Sequence, residues 1–242
     1  MDKVVLNGGH IKADDRNFLG SETEGGNNDK TIDLIAKFLS DYVVEVHIVD
    51  QDNKVPFKEL GSRYPNATLF YSHHTNAWDE GRGTARGTEV FYGYGRTLAQ
   101  NIATRTAAII GTVTRGGDKG AKNNAKEGFL SVIKQAQKAG VKYQLLGEIG
   151  FHDNPTESKM IVEKRPQIAQ AIGEEIVKYL KLEKKPKPVE VQAVKEDLAP
   201  EGKLFQVVAY KNIANANAEM AKAKAAGLDP YMLIVYDPNA AK

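Results

Sequence analysis

Ala67-Thr68-Leu69-Phe70-Tyr71-Ser72-His73-His74-Thr75-Asn76-Ala77 begins as an apolar run and closes on two adjacent histidines. Runs of aromatic, β-branched and aliphatic residues of this length mark a buried strand. Residues 67–72 are therefore predicted as a strand that ends where the histidines begin. Successive side chains of an extended chain point to opposite faces. Only one of His73 and His74 can then face a shared site.

The pattern recurs on both sides of this stretch. Residues 4–6, Val4-Val5-Leu6, form a short apolar strand closed by Asn7-Gly8-Gly9 and followed by His10. Residues 142–149 form another apolar strand, with Glu148 near its C-terminal end. Between them, 43–49 and 88–92 read as strands. Residues 28–42 and 96–110 read as helices, the first with Ile32, Ile35, Ala36, Phe38 and Leu39 at helical spacing and Asn27, Asn28 or Asp29 as its N-cap. A short helix is predicted at 56–62, a strand at 128–133, a turn of helix at 134–139 and a long helix at 156–180, kinked or broken at Pro166. Strands alternating with helices specify an α/β domain with a mixed, mainly parallel sheet flanked by helices. In such sheets sites gather at the carboxyl ends of the strands, where His10, His74 and Glu148 fall.

After residue 181 the character changes. Residues 182–202 carry Lys184-Lys185-Pro186-Lys187-Pro188, many charges and Pro200, and read as an extended linker. Residues 203–242 hold strand patterns at 204–210 and 231–236 around an alanine-rich helix at 215–226. This small βαβ-like C-terminal module is too short for a large core of its own. The predicted organisation is thus a domain at 1–181, a linker at 182–202 and the module at 203–242.

Composition bounds the class of partner. The 242 residues are 41% apolar and 26% charged, an ordinary globular balance, and a formal net charge of +2 is too small to argue for nucleic acid. The absence of cysteine excludes disulfides and thiolate metal sites. The first residues are too short an apolar run for a signal peptide, and no stretch approaches the roughly 20 apolar residues of a membrane span. The expectation is a protein made in the cytoplasm without export signal.

Two histidines and a carboxylate leave one position open on a tetrahedral zinc ion, where a water can become a nucleophile. His10 alone reads as a turn residue more readily than as a ligand. Glu24 competes with Glu22, Asp14 and Asp15 as the carboxylate, and each also fits a solvated loop. Glu148 interrupts the apolar run Leu145-Leu146-Gly147-Glu148-Ile149-Gly150-Phe151. A carboxylate buried there needs a partner or a role, because burying it unpaired costs several kcal/mol, about 2–7 or more; a salt bridge or a general base both satisfy that demand. Arg115–Lys122 is basic and glycine-rich but lacks the pattern of a phosphate loop. Trp78, the single tryptophan, suits either a saccharide or peptide groove or the core.

Taken together these segments resemble the zinc-dependent N-acetylmuramoyl-L-alanine amidases of phage endolysins and bacterial autolysins. The resemblance rests on Gly9-His10, on Glu24 at 14 residues beyond His10, on Ser72-His73-His74-Thr75-Asn76-Ala77, on Gly87-Thr88-Glu89, on Arg115-Gly116 and on Glu148-Ile149-Gly150-Phe151. It covers about residues 3–181 and departs from the family at Asn7-Gly8-Gly9-His10-Ile11, where Asp-Pro-Gly-His-Gly is common. It implies zinc held by His10, Glu24 and His74, with Glu22 as the alternative carboxylate, and Glu148 as the catalytic base. The implied reaction is cleavage of the amide between N-acetylmuramic acid and the L-alanine of the stem peptide. A zinc peptidase or carboxypeptidase acting within the stem peptide uses the same ligands, and a wall-binding protein with an inert site is the non-enzymatic alternative. The tail looks like half of a sporulation-related repeat, through Phe205-Gln206-Val207-Val208 and Ala226-Gly227-Leu228-Asp229, which implies peptidoglycan binding by a half that either pairs with a second chain into a homodimer or is incomplete. The implied place of action is the bacterial wall after phage or mother-cell lysis.

Overall fold

Val4, Val5 and Leu6 are at most 2% exposed and lie at the centre of the molecule, in strand β1, Lys3–Gly8. The computed structural model describes residues 1–12, 22–49, 54–78, 83–127 and 130–186. The further strands are β2 Glu45–Ile48, β3 Leu69–Asn76, β4 Glu89–Tyr92, β5 Ala121–Asn123 and β6 Tyr143–Phe151. The helices are α1 Glu24–Leu39, α2 Arg96–Ile110, α3 Asn124–Glu127, α4 Ser131–Lys138, α5 Pro155–Glu163 and α6 Arg165–Leu180. One sheet runs in the order β2-β1-β3-β6-β4-β5, parallel at every pairing except β4 against β6. This is the mixed, mainly parallel α/β sheet that the pattern predicts.

Alternation along each strand sorts side chains onto two faces. Val4, Leu6, Leu69, Tyr71, Leu145 and Ile149 pack under α1, α2 and α6, where Ile32, Ile35, Leu98, Ile102 and Ile172 are at most 1% exposed. Each such residue contributes about 1.5–3 kcal/mol by leaving water. The opposite face carries Val5, Phe70, Leu146 and Phe91 under α4 and the 3-10 helix Phe57–Ser62. Apolar packing on that face stops there. Further on, the same face carries Asn7, Ser72 and His74, then Glu148 and Glu89 by register.

Several boundaries differ from the pattern, each for a local reason. Helix α1 begins at Glu24, a turn before the predicted start, because the Thr23 side chain accepts the Gly26 N–H and caps it. Strand β3 runs on through both histidines to Asn76. Residues 131–133 are helical rather than extended, and Val132, Ile133 and Ala136 share one buried stripe at helical spacing. A short apolar run suits either state, and the surface over Phe70 and Leu146 selects the helix. The basic loop contains the edge strand β5. The long helix divides at Lys164, with Pro166 in the first turn of α6, where its missing N–H is tolerated.

The chain divides into two units at Lys185 and Pro186. Leu182 still belongs to the first unit's core, and the Lys185 N–H donates to the Asp41 carbonyl at 2.7 Å. The linker beyond 186, the module at 203–242 with its predicted strands and helix, and the homodimer implied for it lie outside the described residues. Among the described residues no helix is long and apolar enough to cross a membrane.

Candidate metal centre

The sheet reverses its direction of winding between β1 and β3. From β1 the chain crosses to β2 on one side and then to β3 on the other. Such a switch point opens a crevice at the strands' carboxyl ends. His10 follows β1 there in the left-handed region, with φ 66°, a conformation histidine adopts more readily than most residues. His74 ends the same face of β3, and Glu24 enters from the first turn of α1.

These three side chains converge. His10 Nε2 lies 3.5 Å from Glu24 Oε2, and His74 Nδ1 lies 3.9 Å from Glu24 Oε1. One donor atom from each falls within 4.8 Å of the others. Zinc at the usual bond lengths of about 2.1 Å sets tetrahedral donors about 3.4 Å apart, so the set fits an ion after a small contraction. The glycines are part of the fit. A Cβ on Gly9 would meet His74 Cε1 at 2.1 Å, and one on Gly25 would meet the Ile11 carbonyl oxygen at 1.9 Å.

Hydrogen bonds orient the cluster from behind. His74 Nε2 lies 3.1 Å from Ser72 Oγ, and that hydroxyl donates to Asn7 Oδ1 at 2.6 Å. Asn7 Nδ2 in turn donates to the Val49 carbonyl at 2.6 Å. Because Ser72 donates to Asn7, it accepts from His74, which puts the ring proton on Nε2 and leaves the Nδ1 lone pair toward Glu24. Glu24 is 2% exposed and accepts the Thr75 N–H at 3.3 Å, with His152 Nδ1 3.7 Å from its Oε2. Pattern reading assigned no role to Ser72, Asn7 or His152; each sits within or beside a motif, but only folding brings them behind a ligand.

Glu22 and His73 are placed elsewhere. Glu22 pairs with Lys30 at 2.7 Å and with Arg165, outside the cluster. Asp14 and Asp15 lie outside the described residues. His73 points to the opposite face, 1% exposed, with the Tyr71 hydroxyl 3.1 Å from its Nδ1. Burial, reinforced by the Arg165 charge, pushes His73 down to about 3, so it is a neutral core histidine.

Glu148 stands beside His74 in register, and Glu89 stands opposite Glu148. Glu148 Oε2 is buried with no hydrogen-bond partner among the described residues. Burial, then repulsion from Glu24 and Glu89, holds its carboxyl well above the usual carboxylate range, against the opposing pull of Lys122. The salt-bridge alternative for Glu148 is not what this geometry shows; the ion pairs form at Glu89 instead, with Lys122 and Arg115.

Directly after Glu148 the sheet carries a bulge. His74 pairs with Glu148 but Asn76 pairs with Phe151, the extra residue being absorbed at Gly150 with φ 74°. Glu157 of α5 fastens it by accepting the Phe151 N–H at 2.7 Å and the Gly87 N–H at 2.9 Å, and the Thr112 hydroxyl also donates to it. Its 3% exposure leaves no water to replace those bonds. Glu157→Ala will therefore lower unfolding stability by about 3 kcal/mol, read by urea titration. A change under about 0.5 kcal/mol would show the bulge needs no such fastening.

The family model for N-acetylmuramoyl-L-alanine amidases matches residues 4–178. The chain belongs to that family. Among solved structures it is similar to the catalytic domain of CwlV, an N-acetylmuramoyl-L-alanine amidase from Bacillus (Paenibacillus) polymyxa var. colistinus. That match has a TM-score of 0.62 and 22% identity, covering 76% of this chain and 100% of that one. N-acetylmuramoyl-L-alanine amidase from Clostridium difficile 630 aligns with a TM-score of 0.59 and 22% identity over 74% of this chain and 97% of its own. Amidase AmiC2 of Nostoc punctiforme aligns with a TM-score of 0.56 and 25% identity over 74% and 97%. No curated protein gives a significant match. The family supports peptidoglycan amidase activity for the unit spanning residues 1–185, and the neighbours share its fold.

Proposed function

We propose that this amidase cleaves the bond between the lactyl group of N-acetylmuramic acid and L-alanine, with zinc held by His10, Glu24 and His74. The observation that carries the reading is the convergence of those three donors beside an unpartnered Glu148. Zinc bound there would polarise the scissile carbonyl and acidify a water in the open fourth position. Glu148 Oε2, with no hydrogen bond to give up, takes the proton of the attacking water and returns it to the leaving amine. Ser72 and Asn7 hold His74 in the tautomer that presents Nδ1. The Thr75 N–H and the Asn28 amide, at 3.3 and 3.5 Å, hold Glu24 Oε1. For residues 203–242, resemblance to a sporulation-related repeat supports a wall-binding role.

The test is digestion of purified peptidoglycan by the full chain, with and without a zinc chelator, followed by mass analysis. Release of stem peptides with a free N-terminal L-alanine, abolished by chelation and restored by zinc, is the expected result. Cuts inside the stem peptide would replace the amide named here with a peptidase bond. Cleavage indifferent to chelation would remove the metal from the mechanism.

A further inference from the structure

Arg115 and Lys122 are not among the three converging donors, yet they lie beside Glu148. Lys122 of β5 pairs with Phe91, which pairs with Leu146, so Lys122 shares the sheet face of Glu148. Its Nζ lies 2.7 Å from Glu89 Oε2, and Arg115 Nε donates to the same oxygen at 3.3 Å. Glu89 Oε1 accepts from the Asn76 amide at 3.1 Å. Glu89 thus draws two cations together on the Glu148 face of the sheet.

Both cations are held in place on aromatic rings. The Arg115 guanidinium lies 4.6 Å from the Phe151 ring centre, and Lys122 Nζ lies 5.4 Å from that of Phe91. Their side chains are 29% and 24% exposed, so both reach solvent. Arg115 uses only Nε toward Glu89; its two terminal nitrogens make no hydrogen bond among the described residues. A planar fork of free N–H donors beside a lysine matches a carboxylate, which takes two parallel bonds from arginine.

We infer that Arg115 and Lys122 form a subsite for a carboxylate of the stem peptide, on the Glu148 side of the scissile amide. This inference rests on the proposed amidase reaction. The spacing suits it. Glu89 lies two strands from His74, about 10 Å at about 4.8 Å per strand. An extended peptide advances about 3.3–3.6 Å per residue, so a carboxylate on the second residue beyond the cut reaches the subsite once side-chain length is added. A carboxamide there offers the guanidinium fork one acceptor oxygen instead of two and no charge. The subsite therefore selects stem peptides whose second residue carries a free carboxylate.

The experiment compares two substrates with the zinc-loaded full chain: the γ-methylamide of N-acetylmuramoyl-L-alanyl-D-glutamate, whose only glutamate carboxylate is the α group, and the same compound with that carboxylate converted to a carboxamide. The parent is expected to favour the carboxylate substrate by about tenfold or more in kcat/KM. Arg115→Gln is expected to erase that preference, mainly through KM, and Arg115→Lys restores part of it. Equal loss on both substrates would mean that the pair only braces Glu89 and would overturn the inference. So would no change on either. If the parent cleaves neither compound, the proposed reaction falls, and calorimetric binding of L-alanyl-D-glutamate against its carboxamide decides the subsite. A charge preference removed by Arg115→Gln upholds it; binding indifferent to that charge overturns it.

Discussion

Glu148→Gln lowers amide hydrolysis by about 10²–10⁴-fold, the range for loss of a positioned general base, and leaves the fold and the metal content intact. Glutamine keeps the volume and polarity of the side chain but cannot carry the proton between water and leaving amine. Glu148 is not one of the three converging donors, so zinc stoichiometry should match the parent. Its Oε2 has no partner to lose, and the neutral amide escapes repulsion by Glu24 and Glu89. The metal-free variant should consequently melt no lower than the parent. The check is release of N-terminal L-alanine from peptidoglycan, alongside elemental analysis and a thermal melt. Activity within a few fold of the parent would remove Glu148 from the mechanism, whatever becomes of the zinc.

Gly9→Ala separates the fold from the site. The added methyl would meet the His74 ring at 2.1–2.3 Å, and all three of its nearest neighbours belong to that ring. The nearest atoms are all side chain, so the imidazole yields before the strand does. In swinging away it leaves Ser72 and turns Nδ1 from Glu24. Disturbing the groups that orient a metal ligand costs about 10–100-fold in affinity, and displacing the ligand itself costs at least that much. Zinc affinity measured against a competing chelator should fall accordingly, while the melting temperature of the metal-free chain stays within a few degrees. Gly117→Ala is the control, because nothing lies within 4 Å of its would-be Cβ. Unchanged affinity in Gly9→Ala would show that His74 does not need its present rotamer to hold the ion.

Both variants act on features of different legibility. Glu148 stands out in one dimension, since a carboxylate inside an apolar strand must have a partner or a purpose. The closeness of Gly9 to His74 is invisible there, since 64 residues separate them in sequence. The same division runs through the fold. Apolar runs located β1, β3 and β6, because buried parallel strands are continuously apolar. The strand expected at 128–133 is helical from Ser131 because a short run of apolar and small residues suits either state until a packing surface chooses. The true start of α1 was hidden by Gly25 and Gly26, poor helix formers that a cap at Thr23 and close packing against Ile11 make acceptable.

What this sequence determined by itself was the α/β class and the placing of histidines and a glutamate at strand ends, because periodicity and strand composition are local properties. Residue parity alone also required His73 and His74 to part company. The family motif pointed to His74, but that Glu22 turns instead to Lys30 and Arg165 was decided only in three dimensions. So were the Ser72–Asn7 relay behind His74, the bulge that Glu157 fastens, and the Arg115–Lys122 pair beside Glu148. The physical reason is common to all of these. Each depends on register between strands and on approach distances of a few ångströms between segments far apart in the chain, and neither quantity is written in any single stretch of it.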